Sequence, residues 1–170
     1  MEKRNVTVPA IVAAIVLIGD QLSKHWAETW LRTNGEYKIW DGVLHLRYVE
    51  NRGAAFGMMQ GGKWFFLAIT GIACAAMLYF LIKERKRLHF MMTFSLALLL
   101  SGAIGNLIDR VTLGYVRDMI YVALIDFAVF NVADMAVTVG CCLLVLDLLF
   151  FKGKKYMEMM DKKPQTGENS

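Results

Sequence analysis

Two stretches of the form Asn-x-x-Asp interrupt the apolar blocks of this chain, Asn106 to Asp109 within GNLIDR and Asn131 to Asp134 within FNVAD. Residues three apart share one face of a helix, so each amide stands beside its carboxylate. A charge at the bilayer centre costs at least about 2.5 kcal/mol on insertion scales, and such residues usually face a cavity and work there. Asp20 and Lys24, an i, i+4 pair, lie in a third apolar block. Two carboxylates about 3 Å apart cannot both ionise: one keeps a proton and serves as acid while the other serves as base. Such a pair can activate water for peptide hydrolysis without a covalent intermediate, and Asp109 and Asp134 are the candidates. The competing reading makes them a structural hydrogen-bonded pair that joins two helices.

Other chemistries find less support. Ser23 and Ser101 have no histidine at a suggestive position, and His25, His45 and His89 form no cluster. The chain lacks His-Glu-x-x-His and the Cys/His spacings of zinc sites, so no metal and no cofactor is expected. Cys74, Cys141 and Cys142 lie within apolar blocks and are read as packing residues rather than disulfide partners.

The elements that must carry these groups are membrane helices. The chain has 170 residues, 56% hydrophobic and 20% charged, with the apolar residues gathered in long blocks. At 1.5 Å of rise per residue, residues 64–82 and 90–108 each cross a hydrocarbon layer of roughly 30 Å without a charge. Residues 6–26 and 127–151 are read as spans with internal charges. The first has basic residues ahead of its apolar core but no small-x-small cleavage site, so a retained helix is expected. Lys3 and Arg4, the KERKR run at 83–87, and Lys152, Lys154 and Lys155 all fall on one side, which the positive-inside rule makes cytoplasmic. The opposite side receives Trp26, Trp30, Trp40 and Trp64, suited to an interfacial belt. The net charge of +4 then reflects topology and lipid headgroups, with no nucleic acid as partner.

Between the first two spans, YKIWDGVLHLRYV at 37–49 reads as a hairpin around a two-residue Asp41-Gly42 turn. The glycine-rich 51–63 segment after it is suited to move over a site. The expected architecture is an all-α membrane protein of four transmembrane helices with a small extracytoplasmic hairpin or sheet at about 37–57. It forms one domain over 1–160, with a polar tail at 161–170. Asp147, thirteen residues beyond Asp134, points more than half a turn away and lies roughly 20 Å deeper. It is read as a cytoplasmic-end carboxylate that reaches water or Lys152.

In order along the chain, DQLSK at 20–24, NRGAAFG at 51–57, GNLIDR at 105–110 and FNVAD at 130–134 resemble the lipoprotein (type II) signal peptidases of bacteria. The resemblance covers nearly the whole chain. It implies a four-helix membrane aspartyl protease that cleaves a signal peptide just before a diacylglyceryl-modified cysteine. The partners it implies are lipidated prolipoproteins and membrane lipids, and the location is the bacterial inner membrane. Carried over by residue, it makes Asp109 and Asp134 the catalytic pair. Asp20, Lys24, Asn51, Gly53, Asn106, Arg110, Asn131 and Ala133 become pocket positions. VRDMI at 116–120 matches a Val-x-Asp-Phe-type stretch at Asp118, with Met119 in place of the aromatic. A monomer is expected.

A proton-coupled transporter would also place Asp and Lys in the membrane, but with repeated halves and polar groups near the midplane. A scaffold would need no acid pair. The charge pattern makes a testable statement about topology. Cysteines introduced in 83–87 should label only from the cytoplasm and those in 41–47 only from outside, and the reverse pattern would place the polar cluster at the wrong face.

Overall fold

A computed structural model of the chain describes residues 6–53 and 62–151. Four helices in it are long and apolar enough to cross a membrane. Helix α1, Thr7–Trp26, continues through a π-helical turn, Ala27–Leu31, and a last turn, Arg32–Asn34. Helices α2, Lys63–Lys83, α3, Phe90–Thr112, and α4, Val132–Phe150, complete the set. In hydrocarbon every backbone polar group needs an internal partner, which leaves helices as the economical solution for these blocks. Lipid competes equally for apolar side chains, so large ones remain on the outside. On α1 the stripe Ile11, Ile15, Ile18 and Leu22 is exposed, while Asp20 and Lys24 on another face are fully buried.

The helix interfaces are therefore built from small and polar residues. Gly102 lies so close to the Ala133 carbonyl and Val137 that a side chain there would collide with α4. At Gly105 a Cβ would come within 2.6 Å of Asp20 Oδ2 and 3.2 Å of the Ala133 Cβ. At the other end of the bundle Leu88, Met92 and Leu96 form an apolar cluster with Phe80, Leu81 and Leu148. Asp147 is fully buried there and pairs with His89 Nε2 at 2.8 Å. It does not reach water, and Lys152, the other partner expected for it, lies outside the described residues.

The sheet has three strands, β1, Tyr37–Trp40, β2, Leu44–Asn51, and β3, Val116–Val122, in the order β1-β2-β3, all antiparallel. The β1–β2 hairpin turns through Asp41, Gly42 and Val43, one residue longer than expected, with Gly42 at φ 72° and Val43 N donating to the Trp40 carbonyl at 2.9 Å. β3 was not expected as a strand. It pairs Asp118 with Val49 and Arg117 with Glu50, and it buries Met119 against Ala27 and Leu31. Trp26 and Trp30 stack at 5.6 Å beside this sheet, and Trp40 and Trp64 are exposed, as an interfacial belt requires. Cys74 is half-buried, but Cys141 and Cys142 are exposed on α4 and so face lipid rather than packing inside. Most of the 51–63 segment and the polar tail lie outside the described residues.

The approach at Gly105 gives a direct test. Gly105→Ala should push Asp20 out of register and cost about 1–3 kcal/mol, as overpacking of a tight interface does. The expected result is a lowered unfolding midpoint in detergent, and an unchanged midpoint would show that the interface gives way cheaply.

Candidate active site

The polar groups of α1, α3 and α4 meet at the end of the bundle that carries the sheet. Lys24 Nζ is fully buried and sits 2.9 Å from Asp20 Oδ2, 2.8 Å from Asn106 Oδ1 and 3.7 Å from Asp109 Oδ2. It does not snorkel to the interface. The other oxygen of Asp20 accepts from Ala133 N at 2.9 Å, an anion on the first turn of α4, where free N–H groups and the helix dipole favour it. Asp20 thus ties α1 to α4 while Lys24 ties it to α3.

Helix α4 starts with a capping box. Asn131 Oδ1 accepts from Asp134 N at 3.0 Å, and Asp134 Oδ2 accepts from Asn131 N at 3.1 Å. The remaining oxygen of Asp134 accepts from Asn106 Nδ2 at 2.7 Å. The Asn131 amide also reaches out of the helix, with Nδ2 donating to Asp118 Oδ1 at 2.6 Å and to Asn106 Oδ1 at 3.2 Å. Asn51, at the end of β2, donates from Nδ2 to Asp118 Oδ2 at 3.0 Å, and its own Oδ1 receives Gly53 N at 3.0 Å.

A cavity of about 580 Å³ opens beside these groups, lined by Asn51, Gly53, Asn106, Arg110, Asp118 and Asp134 on its polar side. Phe127, Val129, Phe130 and Val137 supply apolar wall, and exposed Met135 and Val139 of α4 contribute to the lining. Arg110 sits with its guanidinium carbon 5.2 Å from the Phe66 ring centroid. Burial, and then the neighbouring Asp134 carboxylate, push Asp118 up to about 7.

Asp109, expected to act with Asp134, does not share the cavity with it. Asp109 is absent from the cavity lining and fully buried, and Arg117 grips it through Nη2 to Oδ1 at 2.7 Å and Nε to Oδ2 at 3.1 Å. The Arg117 backbone N donates to the same Oδ2 at 2.9 Å. The carboxylate that shares the cavity with Asp134 is Asp118. Among the described residues neither Asp118 nor Asp134 forms an ion pair, whereas Asp20 and Asp109 each face a buried cation. Of the anticipated pocket positions, Asn51, Gly53, Asn106 and Arg110 line the cavity. Asp20, Lys24, Asn131 and Ala133 stand behind it. Arg117 is not among the expected site residues; its one visible signal is a basic residue beside Asp118 in a strand-length segment whose other members are apolar or aromatic.

Comparison with known proteins agrees with this architecture. Lipoprotein signal peptidases of Streptococcus thermophilus (strain CNRZ 1066) and Clostridioides difficile (strain 630) are 47% and 43% identical over 85% of this chain, which is 94% and 97% of theirs. Two solved structures, both titled as bacterial membrane enzymes, superpose with TM-scores of 0.79 and 0.76 at 32% and 34% identity. The first covers 98% of both chains, the second 87% of this chain and 96% of its own. The family model described as signal peptidase (SPase) II matches residues 12–150, and with four membrane-length helices, the capped Asn-x-x-Asp of α4 and a cavity holding two carboxylates, the chain belongs to the signal peptidase II family of proteases.

Proposed function

We propose that this protein removes signal peptides from prolipoproteins, cleaving before the diacylglyceryl-modified cysteine, with Asp118 and Asp134 as the catalytic pair. The observation that carries the assignment is that these two carboxylates line one cavity and are held only by neutral N–H donors among the described residues. Asp109 is fully buried, stands outside the cavity and is gripped by a bidentate guanidinium, so water and substrate do not reach it.

The two confined carboxylates hold one proton between them, and in the steps that follow it starts on Asp118. Asp134 takes a proton from a water between the two, and the water oxygen bonds to the scissile carbonyl carbon. Asp118 gives its proton to the carbonyl oxygen, forming a neutral tetrahedral diol. Asp134 then passes the proton it took from water to the amine nitrogen of the cysteine while Asp118 takes one from a diol hydroxyl, so the C–N bond breaks, the signal peptide leaves as a carboxylic acid and the pair returns to its starting state. Asn51, Asn106 and Asn131 fix the carboxylates at their other lone pairs. Arg110, in the cavity without an ion-pair partner among the described residues, is positioned to receive a backbone carbonyl of the substrate.

The orientation that fits is cytoplasmic termini, with the cavity near the outer leaflet where a lipidated precursor lies. The distribution of Lys3, Arg4, 83–87 and Lys152–Lys155 supports it. One chain carries both carboxylates, so a monomer suffices.

Asp118→Asn and Asp134→Asn should each abolish cleavage of a lipidated precursor while the protein still folds, with stability lowered by about 1–3 kcal/mol because one N–H donor is left facing an amide nitrogen. Asp109→Asn should behave differently. It breaks a buried ion pair and should cost about 3–5 kcal/mol of stability. Turnover by Asp118→Asn would reject the pair.

The pH profile gives a second test. The carboxyl group of Asp118 is raised, so its acid form persists through the mildly acidic range and is lost as pH rises through about 7. The expected kcat/KM therefore falls on the alkaline side near that value, and falls again in acid when both groups are protonated. A rate that stays flat to pH 9 would contradict a shared proton.

A further inference from the structure

Asp118 owes its place to its neighbour in sequence. Successive residues of a strand point to opposite faces, so while Asp118 faces the cavity, Arg117 points into the protein between α1 and α3. Its side chain is 10% exposed and does not line the cavity, so it touches neither substrate nor reacting water. Besides Asp109, it donates from Nη1 to Glu28 Oε2 at 2.9 Å and from Nη2 to Gln21 Oε1 at 3.3 Å. One guanidinium thus joins the start of β3 to the end of α3, the polar face of α1 and the π-helical turn that carries Glu28. Beyond Asp118 the strand is fastened again, with Met119 N and Ile120 N both donating to the Phe130 carbonyl at 3.0 and 2.8 Å. That carbonyl belongs to the residue before Asn131, the cap of the helix that bears Asp134.

We propose that Arg117 is a positioning residue that sets the reach of Asp118 toward Asp134, an inference that rests on the assignment of those two carboxylates as the catalytic pair. A planar guanidinium offers five donors in a fixed fork, and here it spends four contacts in three directions, which fixes where the strand begins as well as how far it stands from the helices. A lysine would keep the charge but concentrate its donors on one nitrogen, without the planar fork. A shift of about 1 Å in a catalytic group can lower the rate by about 10²-fold, so an anchor one residue away has leverage on the reaction that its stability contribution does not measure.

The test compares Arg117→Lys, Arg117→Met and the double variant Asp109→Asn/Arg117→Met, with Asp118→Asn as the control for the underlying assignment. Unfolding midpoints in detergent would be read beside kcat, KM and the pH profile, using a synthetic signal peptide with a diacylglyceryl-cysteine. The double variant removes both halves of the buried pair, so its midpoint should recover most of what Arg117→Met alone loses. Its kcat should nevertheless stay lowered by about 10- to 100-fold with KM little changed, and its alkaline limb should move as the spacing of the two carboxylates changes. Arg117→Lys should fold and show the same kcat loss and displaced limb, and it decides the matter should the double variant not fold. Wild-type kcat and pH profile in whichever variant folds would overturn the proposal and leave Arg117 a stability residue. Turnover by Asp118→Asn would instead remove the assignment on which the proposal stands.

Discussion

The buried ammonium of Lys24 is the interaction on which the remaining geometry depends. Removing such a group from water costs several kcal/mol after relaxation, and only close pairing offsets it. Here the offset comes from Asp20 and Asn106, with Asp109 just beyond at 3.7 Å, so the cation can be buried only when α1 and α3 stand at one separation and one rotation. The glycine at 105 exists in that frame because nothing larger fits beside Asp20. Asp20 in turn reaches the first turn of α4. One charge therefore locates the ends of three helices, and those ends build the polar wall of the cavity.

Cations and amides are distributed over the carboxylates in a way that separates structure from chemistry. Asp20 and Asp109 face Lys24 and Arg117 at ion-pair distance. Asp118 and Asp134 face only N–H donors from Asn51, Asn106 and Asn131. Neutral donors orient a carboxylate without cancelling its charge, so two of them confined together compete for a proton.

Much of this was legible beforehand, for identifiable reasons. The four spans follow from block length and hydropathy, and the joining of Asp20, Lys24, Asn106, Asn131 and Asp134 follows from helix ends that must lie at one depth. Asp134 was marked by its amide three residues earlier, and the capping box makes that spacing meaningful. The same spacing does not bring Asp109 to the cavity. Asn106 and Asp109 do share a face of α3, but helical periodicity says nothing of what folds back upon that face. The answer comes from Arg117, eight residues on, after the chain turns at Gly114 with φ 85° and enters β3. That strand was hidden because its partner β2 lies some seventy residues earlier and because its polar members look like loop. In a strand, adjacent Arg117 and Asp118 are assigned to opposite faces, one inward to an anion and one to the cavity, and a helical reading cannot make that separation.

The position of Asp134 within the capping box carries a further consequence for how the site is held. An N3 acid that bonds its own N-cap backbone is fixed by the fold of its helix, before any contact with another element. Asp118, by contrast, lies on a short strand that has no place of its own until β2, Arg117 and the Phe130 carbonyl supply one. The two carboxylates thus differ in what determines them: one is local to α4, the other depends on contacts from three further parts of the chain. Variation in the sheet or in its anchors should consequently displace Asp118 far more than Asp134, and the asymmetry places the sensitivity of the pair on the strand side of the cavity.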